Sequence, residues 1–380
     1  MKKLFWYHVL LATVYYLYAQ TSASDSTGYF ERSATLYTSW MEAYGTGTTF
    51  IDFLAYPFTA VIGFSYPMIM LLFAWIGYWS FIFFYIVFIE NTRFRHTWKG
   101  ADLVTIFLFL PNMHYWTASL GKGAPILLGL AITMFGLSKL HSRKTALLIG
   151  LLIIYHVRPH VFFLACLGIL AGLLTARERT PLYQKLLVLL AVGGAVYFLY
   201  NDIIAFAQLD SDNLMNSFDE LSSHRSFELA KSNSGIDISN YSLPLKLFTF
   251  WFRPLFFDAP GVLGLIISLE NLFYLLLTFT LFKRGIIQYL LRSSALVKAS
   301  LVLFIATSLA LSGTLSNLGI ISRQKTMVIY LLLIVIIGFM DYRQQQVADN
   351  ADNAPGTGNT MFNKTVPQLL LAFLFFISST

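Results

Sequence analysis

The sequence predicts an all-α fold: a polytopic bundle of about ten transmembrane helices with amphipathic helices at its outer face. Hydrophobic residues make up 57% of the 380 residues and charged residues only 12%, whereas a soluble domain is roughly 25% charged. Apolar runs recur along the chain with lengths close to the roughly 20 residues that span a bilayer. The runs are apolar on every side and lack the alternation of barrel strands, which favours helices over a β-barrel.

The first apolar run follows Lys2 and Lys3 and resembles a signal peptide. Its many aromatic residues and the further apolar runs after it favour an uncleaved first helix instead. Pro159 predicts a break between the fifth and sixth helices, because proline removes a helix hydrogen bond and disfavours helix in the residue before it. The predicted helices cover residues 4–20, 64–89, 102–117, 124–138, 145–157, 161–175, 186–201, 260–281, 299–312 and 326–340.

The chain divides into three predicted parts. Residues 1–340 form the transmembrane domain, with large outer loops at residues 21–63 and 202–259. Residues 341–365 are polar, and we expect them to form a disordered cytoplasmic linker. Residues 366–380 form a short apolar segment that does not span a bilayer comfortably, and we expect it in the membrane interface.

The distribution of charge predicts the orientation of the bundle. Lys and Arg residues are concentrated in the short loops that lie on the same side as Lys2 and Lys3. Such an excess marks the cytoplasmic side of membrane proteins, so we expect a cytoplasmic N-terminus. These loops account for the net charge of +7, and no nucleic-acid partner is indicated. The single cysteine, Cys166, allows neither an internal disulfide nor a CxxC metal pair.

Several basic side chains belong to outer turns, against the general charge bias. Each lies within a few residues of a predicted helix end, at head-group depth, where guanidinium and ammonium groups suit a phosphate or pyrophosphate. The alternative for each is an anchor that reaches the interface or caps a helix end. The candidates for phosphate or pyrophosphate binding are Lys122, Arg158, His160, Arg253, Arg323 and Lys325.

Two acids of the first outer loop, Asp25 and Glu31, are candidate catalytic residues. Asp25 directly follows the first helix and could act as a general base; equally, Asp25 or Ser26 could cap a surface helix. Glu31 lies too far along a regular helix to share a face with Asp25. Glu42 and Asp52 have weaker claims and are interpreted as solvated.

No metal site is predicted. His156 and His160 have the spacing of two ligands on one helix face, but Pro159 interrupts the helix between them. No cofactor is indicated with certainty; a divalent cation that bridges Asp25 and a diphosphate is compatible with the sequence, which does not require it. P-loop, GxGxxG, GxSxG and HExxH motifs do not occur, so ATP-driven and hydrolase functions gain no support. Glu270 is expected to be hydrogen-bonded within the bundle or paired with an arginine.

One helix followed by an outer loop that opens with Asp25, in SDSTGYFERS, resembles the GT-C superfamily, which includes the protein O-mannosyltransferases and the lipid A aminoarabinose transferase. The chain departs from many of these enzymes because Ser26, and not a second acid, follows Asp25. Four further segments resemble bacterial surface-polysaccharide membrane proteins, often described as oligosaccharide repeat-unit polymerases. They are PNMHYWTASLGKGAP (111–125), VRPH (157–160), FRPLFFDAP (252–260) and GIISRQK (319–325).

The resemblance implies a glycosyltransferase or repeat-unit polymerase of the bacterial inner membrane. Its donor would be a polyprenyl-(pyro)phosphate-linked sugar and its acceptor a glycan, both at the outer surface of the lipid bilayer. The GT-C pattern implies a catalytic role for Asp25, whereas the polymerase pattern gives more weight to Arg158, Arg253 and Arg323. Two alternatives stay open: a transporter or flippase for a lipid-linked sugar, and a non-catalytic scaffold of an envelope polysaccharide complex.

Overall fold

The computed structural model describes residues 1–22, 24–176, 181–183, 185–186, 189–190, 193–194, 235–238, 240–259 and 261–352. Most of the predicted helix at 186–201 and most of the predicted outer loop at 202–259 lie outside these residues. Residues 353–380, which contain the short apolar segment, also lie outside them.

The described part of the chain is predominantly helical. The only strands within it are β1 (Thr97–Trp98) and β2 (Ala101–Asp102), which pair antiparallel. Short 3-10 helices lie at Met41–Ala43 and Phe279–Phe282, and a π-helical segment at Pro57–Ile62. The α-helices are α1 Lys2–Thr21, α2 Asp25–Thr35, α3 Thr48–Tyr56, α4 Tyr66–Glu90, α5 Leu103–Leu108, α6 Pro111–Thr117, α7 Gly123–Ser138, α8 Lys144–Val157, α9 Pro159–Thr175, α10 Leu243–Phe252, α11 Gly261–Thr278, α12 Ile286–Arg292, α13 Ala295–Ser312, α14 Leu318–Lys325 and α15 Ile329–Asp352.

Among the described residues, three helices are long and apolar enough to cross a membrane: Tyr66–Glu90, Gly261–Phe282 and Ala295–Ser312. A fourth span results if α14 and the apolar part of α15, which meet at an angle of 55°, are counted as one. These helices indicate a membrane protein. The helical class is therefore confirmed for the described residues, while the number of about ten spans stays a prediction.

The central helix of the bundle is α15, whose residues 329–337 are all buried. Its Tyr330 ring lies 4.4 Å from the ring of Phe84 in α4, measured between centroids. Close helix contacts elsewhere depend on small residues, as is usual between helices in membranes. At Gly172 of α9, a Cβ atom would lie 2.6 Å from the carbonyl oxygen of Ala295, so only glycine permits this approach to α13.

A pair of buried histidines fastens α1 to the bundle. The Nδ1 atoms of His8 and His114 are 2.7 Å apart. His8 Nε2 hydrogen-bonds the carbonyl oxygen of Ala74 in α4 at 2.9 Å, and His114 Nε2 bonds that of Leu108 at 2.7 Å. The start of α1 lies beside the middle of α4, where the hydroxyl of Tyr78 donates to the carbonyl oxygen of Met1 at 3.3 Å.

Proline sets two of the helix breaks. The predicted helix at 102–117 is two helices, because Pro111 begins α6 and leaves Phe109 and Leu110 as a break after α5. The predicted break at Pro159 is confirmed, since α8 ends at Val157 and α9 begins at Pro159.

The prediction of a disordered linker from residue 341 onward is wrong for its first part. Helix α15 continues to Asp352, and Asp341 fixes it to the segment after α4. Oδ1 of Asp341 accepts hydrogen bonds from the backbone N–H groups of Arg93 and Phe94 at 2.8 Å each, and contacts Nε2 of His96 at 3.2 Å. These bonds give the polar end of the helix a fixed partner, which composition alone did not reveal.

Candidate functional site

The segment between α1 and α4 is held in place by a chain of hydroxyl groups. Oγ of Ser24 caps α2 by accepting from the backbone N–H of Ser26 at 3.3 Å, so the cap is Ser24 and not Asp25 or Ser26. The same Oγ is 3.0 Å from the hydroxyl of Tyr15 and 2.8 Å from Oγ of Ser26, which in turn lies 2.6 Å from the hydroxyl of Tyr66. The beginning of α2 is thereby anchored between α1 and α4.

Helices α2 and α3 are joined by an ion pair. Nε and Nη2 of Arg32 donate to the two carboxylate oxygens of Asp52 at 2.9 and 3.2 Å, and the hydroxyl of Tyr37 donates to Oδ2 at 2.9 Å. The Asp52 side chain is fully buried. The interpretation of Asp52 as a solvated acid is therefore wrong: it needs these three donors because an unpaired buried carboxylate is costly.

The same segment is fastened to the turn between α8 and α9. The backbone N–H of Gly47 donates to the carbonyl oxygen of His156 at 2.7 Å, and the hydroxyl of Tyr44 lies 3.0 Å from His156 Nε2. This attachment brings α2 and the start of α3 next to Arg158, at the junction of α8 and α9.

A cavity of about 580 Å³ opens where these elements meet. We call it the basic pocket, because among the described residues that line it four side chains are cations and only Asp25 is an acid. It contains Lys122, Arg158 and Arg323, three of the six predicted phosphate-binding residues, although they come from three separate turns of the chain. The lining residues are Ser24, Asp25, Gly28, Tyr29, Arg32, Thr48, Lys122, Arg158, Arg323 and Gln324.

Lys122 stands at the start of α7. The turn before the helix is tight, since a Cβ atom at Gly123 would lie 2.1 Å from the carbonyl oxygen of Trp116. Burial, together with the positive charges of Arg158 and Arg323, lowers the pKa of Lys122 to about 8. The lysine is thus mostly charged at neutral pH but is held in a strongly positive environment.

Arg158 is the least compensated cation of the basic pocket. Its Nε atom is buried and has no hydrogen-bond partner, and within the described part of the chain its guanidinium forms no ion pair. Burial, and then the charge of Arg323, lowers the pKa of Arg158 to about 10, so the group stays charged at neutral pH. A half-buried guanidinium whose Nε is cut off from water is unfavourable without an anion, and a bound anion would relieve that cost.

Arg323 connects the cations to the acid. Its Nη1 donates to Oδ2 of Asp25, and its guanidinium carbon lies 5.7 Å from the ring centroid of Trp116. The Asp25 side chain is 61% exposed, so its carboxylate lies at the open edge of the pocket. Next to Arg323, Oε1 of Gln324 is buried and has no hydrogen-bond partner in the described part of the chain, so it is a second unsatisfied group in the pocket wall.

The remaining predicted site residues lie elsewhere. Arg253 pairs with Asp258, and its Nη1 donates to the hydroxyl of Tyr241 at 3.3 Å. Lys325 is fully buried. His160 is half-buried at the start of α9 and does not line the pocket, and Glu31 is exposed on another face of α2 from Asp25. The predicted convergence of cations therefore applies to Lys122, Arg158 and Arg323 only.

Lys325 belongs to a separate buried polar cluster. Its Nζ donates to Oδ1 of Asn271 at 2.6 Å and to the carbonyl oxygen of Arg253 at 2.9 Å. Nearby, the carboxylate of Glu270 accepts from the backbone N–H of Asn112 at 3.1 and 3.2 Å. Glu270 is thus hydrogen-bonded within the bundle, which was one of the two outcomes expected for it.

Sequence reasoning missed Arg32, Tyr29 and Gln324. A usable signal for Arg32 was present: Asp25, Gly28 and Arg32 have the i, i+3, i+7 spacing of one helix face, and all three line the pocket. The role of Gln324 depends on burial by other helices and leaves no such pattern.

A smaller cavity of about 210 Å³ lies among His96, Lys283 and Arg343, away from the basic pocket and the first-loop acids. Among the described residues, no group of three or more His, Cys, Asp or Glu side chains is arranged to hold a metal ion. Both ring nitrogens of His156 are engaged, by Tyr44 and by the carbonyl oxygen of Leu152.

Comparisons with protein-family models, with curated proteins and with solved structures find no match for this chain. What the described residues define is a class: a helical membrane protein with a basic pocket at one end of its bundle.

Proposed function

We propose that the protein transfers a glycosyl group, or polymerises glycan units, from a polyprenyl-phosphate-linked or polyprenyl-pyrophosphate-linked sugar at the outer face of the bacterial inner membrane. The observation that carries this proposal is the basic pocket, in which Lys122, Arg158 and Arg323 surround a space with one exposed acid. The buried Nε of Arg158, which finds no hydrogen-bond partner among the described residues, supports an anionic ligand in particular. A phosphate or pyrophosphate supplies several acceptor oxygens for these donors.

The proposed reaction follows from the charges of the pocket. The hydroxyl oxygen of the acceptor attacks the anomeric carbon, the bond from that carbon to the phosphate oxygen breaks, and the phosphate leaves with the electron pair. Lys122, Arg158 and Arg323 stabilise the charge that develops on the leaving group. Asp25, at the open edge of the pocket, accepts the hydroxyl proton, and the anomeric carbon is inverted. In this scheme Glu31 takes no part, because it is exposed outside the pocket.

The proposed setting is a bundle of about ten spans with the pocket outside. Glu90 binds Lys139 at 3.0 Å and Arg143 at 2.8 Å, which brings together two loops whose basic residues predict the cytoplasmic side.

The test is the profile of lipid-linked glycans in cells that carry Arg158→Ala. We expect single lipid-linked units to accumulate, accessible from the outer face, and polymer output to fall at least tenfold; Arg158→Lys should be partly active, because lysine keeps the charge but not the planar fork. Arg292→Ala removes an exposed arginine far from the pocket and should match wild type. An unchanged profile in Arg158→Ala would contradict the proposal.

A transporter or flippase for a lipid-linked sugar is the second candidate. It is favoured by the polar cluster of Glu270, Asn112, Asn271 and Lys325, which lies within and beside candidate spans, since buried polar groups in membrane helices mark transport paths. Accumulation of lipid-linked units on the cytoplasmic face in the same experiment would favour this candidate over transfer.

A further inference from the structure

Beside the basic pocket, the first-loop segment presents aromatic rings in a fixed arrangement. Trp40 stacks on Phe53 with centroids 4.9 Å apart and an angle of 13° between the planes. The indole N–H of Trp40 donates to the carbonyl oxygen of Phe53 at 2.9 Å, which fixes the orientation of the ring. Trp40 is nevertheless 49% exposed and Tyr44 52% exposed. We call Trp40, Tyr44 and Phe53 the aromatic platform.

The aromatic platform rests on the turn that carries Arg158. The ring of Tyr44 meets that of Phe53 edge-on at 5.3 Å, and its hydroxyl lies 3.0 Å from Nε2 of His156. Phe50 packs against both Phe53 and His156, with ring centroids 6.1 Å and 4.7 Å away respectively. These contacts hold the exposed rings rigidly instead of leaving them as mobile surface side chains.

A carboxylate belongs to the same short segment, since Glu42 stands between Trp40 and Tyr44 in the sequence. Oε2 of Glu42 accepts from the backbone N–H of Thr38 at 2.7 Å and from its hydroxyl at 2.8 Å. Glu42 itself is exposed, so the carboxylate faces solvent in a defined position. An exposed ring face suits a sugar ring, whose C–H groups pack on the negative face of an aromatic ring. A carboxylate two residues along the chain is a hydrogen-bond acceptor for the hydroxyl groups of the sugar.

We propose that the aromatic platform binds a sugar ring of the glycan acceptor. This inference rests on the proposed function, because it places the acceptor next to the head-group pocket. Helix α3 connects the two sites. Its Thr48 lines the basic pocket, and its Asp52 binds Arg32, which is also a lining residue of that pocket. The next residue, Phe53, belongs to the aromatic platform.

A saccharide fits the platform better than the bilayer does. Interfacial tryptophans direct their N–H groups toward lipid head groups, whereas the N–H of Trp40 is bonded within the protein. The neighbouring carboxylate of Glu42 would also be repelled by anionic lipid, whereas it would accept hydrogen bonds from a sugar.

The test uses the full chain in nanodiscs, applied to an array of defined oligosaccharides. We expect the wild type to bind a subset of these glycans, Trp40→Ala to bind the same subset about tenfold more weakly, and Trp40→Phe to stay within about threefold of wild type, because it keeps a stacking ring. Binding of geranyl diphosphate is measured in parallel and should be the same in wild type and Trp40→Ala.

The outcomes separate the two proposals. Glycan binding that depends on Trp40, without any binding of geranyl diphosphate, would leave the platform standing and count against the head-group pocket. No glycan binding by the wild type, or equal binding by Trp40→Ala, would overturn the platform whatever the diphosphate result. A third measurement is the quenching of tryptophan fluorescence by bromine-labelled lipid chains. Stronger quenching in wild type than in Trp40→Phe would show that Trp40 is a membrane anchor, and would also overturn the proposal that the aromatic platform binds a sugar.

Discussion

Lys122 is the side chain of the basic pocket whose charge changes within an accessible range of pH. Because its pKa is lowered to about 8, the ammonium form is present below that pH and is lost as the pH rises through it. We expect the affinity for geranyl diphosphate to fall about tenfold between pH 7 and pH 9.5, since the neutral amine no longer attracts the anion. Titration calorimetry at a series of pH values measures this change.

Two substitutions control for other titrating groups. Lys122→Arg keeps its charge throughout the range and should bind with little dependence on pH, whereas Lys122→Met should bind weakly at every pH. The probe itself does not interfere, because a phosphate with a second pKa of about 6 is fully ionised above neutrality. The same fall in Lys122→Arg would show that Lys122 is not the group responsible.

At single residues, the sequence predicted which cations were candidates but not which of them would meet. Lys122, Arg158 and Arg323 were selected because each lies beside a glycine, a proline or a helix end, and they do line one pocket. Arg253 and Lys325 were selected by the same rule, but Asp258 and Asn271 engage them instead. The competing partner of Lys325 lies 54 positions away in the sequence, and composition carries no trace of such a pairing.

At the scale of elements, the ion pair between Arg32 and Asp52 is expected to fasten α2 to α3. The two partners differ in exposure, since the Arg32 side chain is 35% exposed and that of Asp52 is fully buried. Arg32→Met leaves a buried carboxylate with only Tyr37 as a partner, and should destabilise the segment by about 2 kcal/mol. This cost is smaller than that of breaking a fully buried ion pair, because water partly screens Arg32. Asp52→Asn leaves an arginine that water can reach, and should cost only about 1 kcal/mol.

Hydrogen exchange of residues 25–56, in protein reconstituted in nanodiscs, measures both changes as loss of protection. Exchange in α7 and α15 serves as an internal reference, because neither helix contributes to the ion pair. Equal effects of the two substitutions, or a larger effect of Asp52→Asn, would contradict the inference that burial of Asp52 is what the pair compensates.

The helices themselves were largely predictable, and the exceptions have physical reasons. Pro159 breaks the chain where its missing N–H requires it. Pro111 has the same effect, but the apolar residues on either side of it concealed the break between α5 and α6. The polar end of α15 was taken for a linker because its stabilising bonds, from Asp341 to the segment after α4, join parts of the chain that are far apart in sequence.

For the whole molecule, apolar runs predicted a helical membrane protein, and charge predicted its orientation. The number of spans is less determined, because α7, α8 and α9 have 16, 14 and 17 residues, fewer than the roughly 20 that cross a bilayer. Whether a short helix spans depends on its neighbours and on local bilayer thickness, which composition does not encode.

The orientation of the molecule is the last prediction, and the proposed function depends on it. We expect the basic pocket to face outward and Arg292 to face the cytoplasm, because short basic loops stay inside. In a Cys166→Ser background, which removes the single native thiol, Ser39→Cys reports on the pocket end and Arg292→Cys on the other; both positions are exposed. A membrane-impermeant maleimide should label Ser39→Cys in intact spheroplasts and label Arg292→Cys only after permeabilisation. The reverse pattern would place the pocket at the cytoplasmic face and would contradict transfer at the outer face.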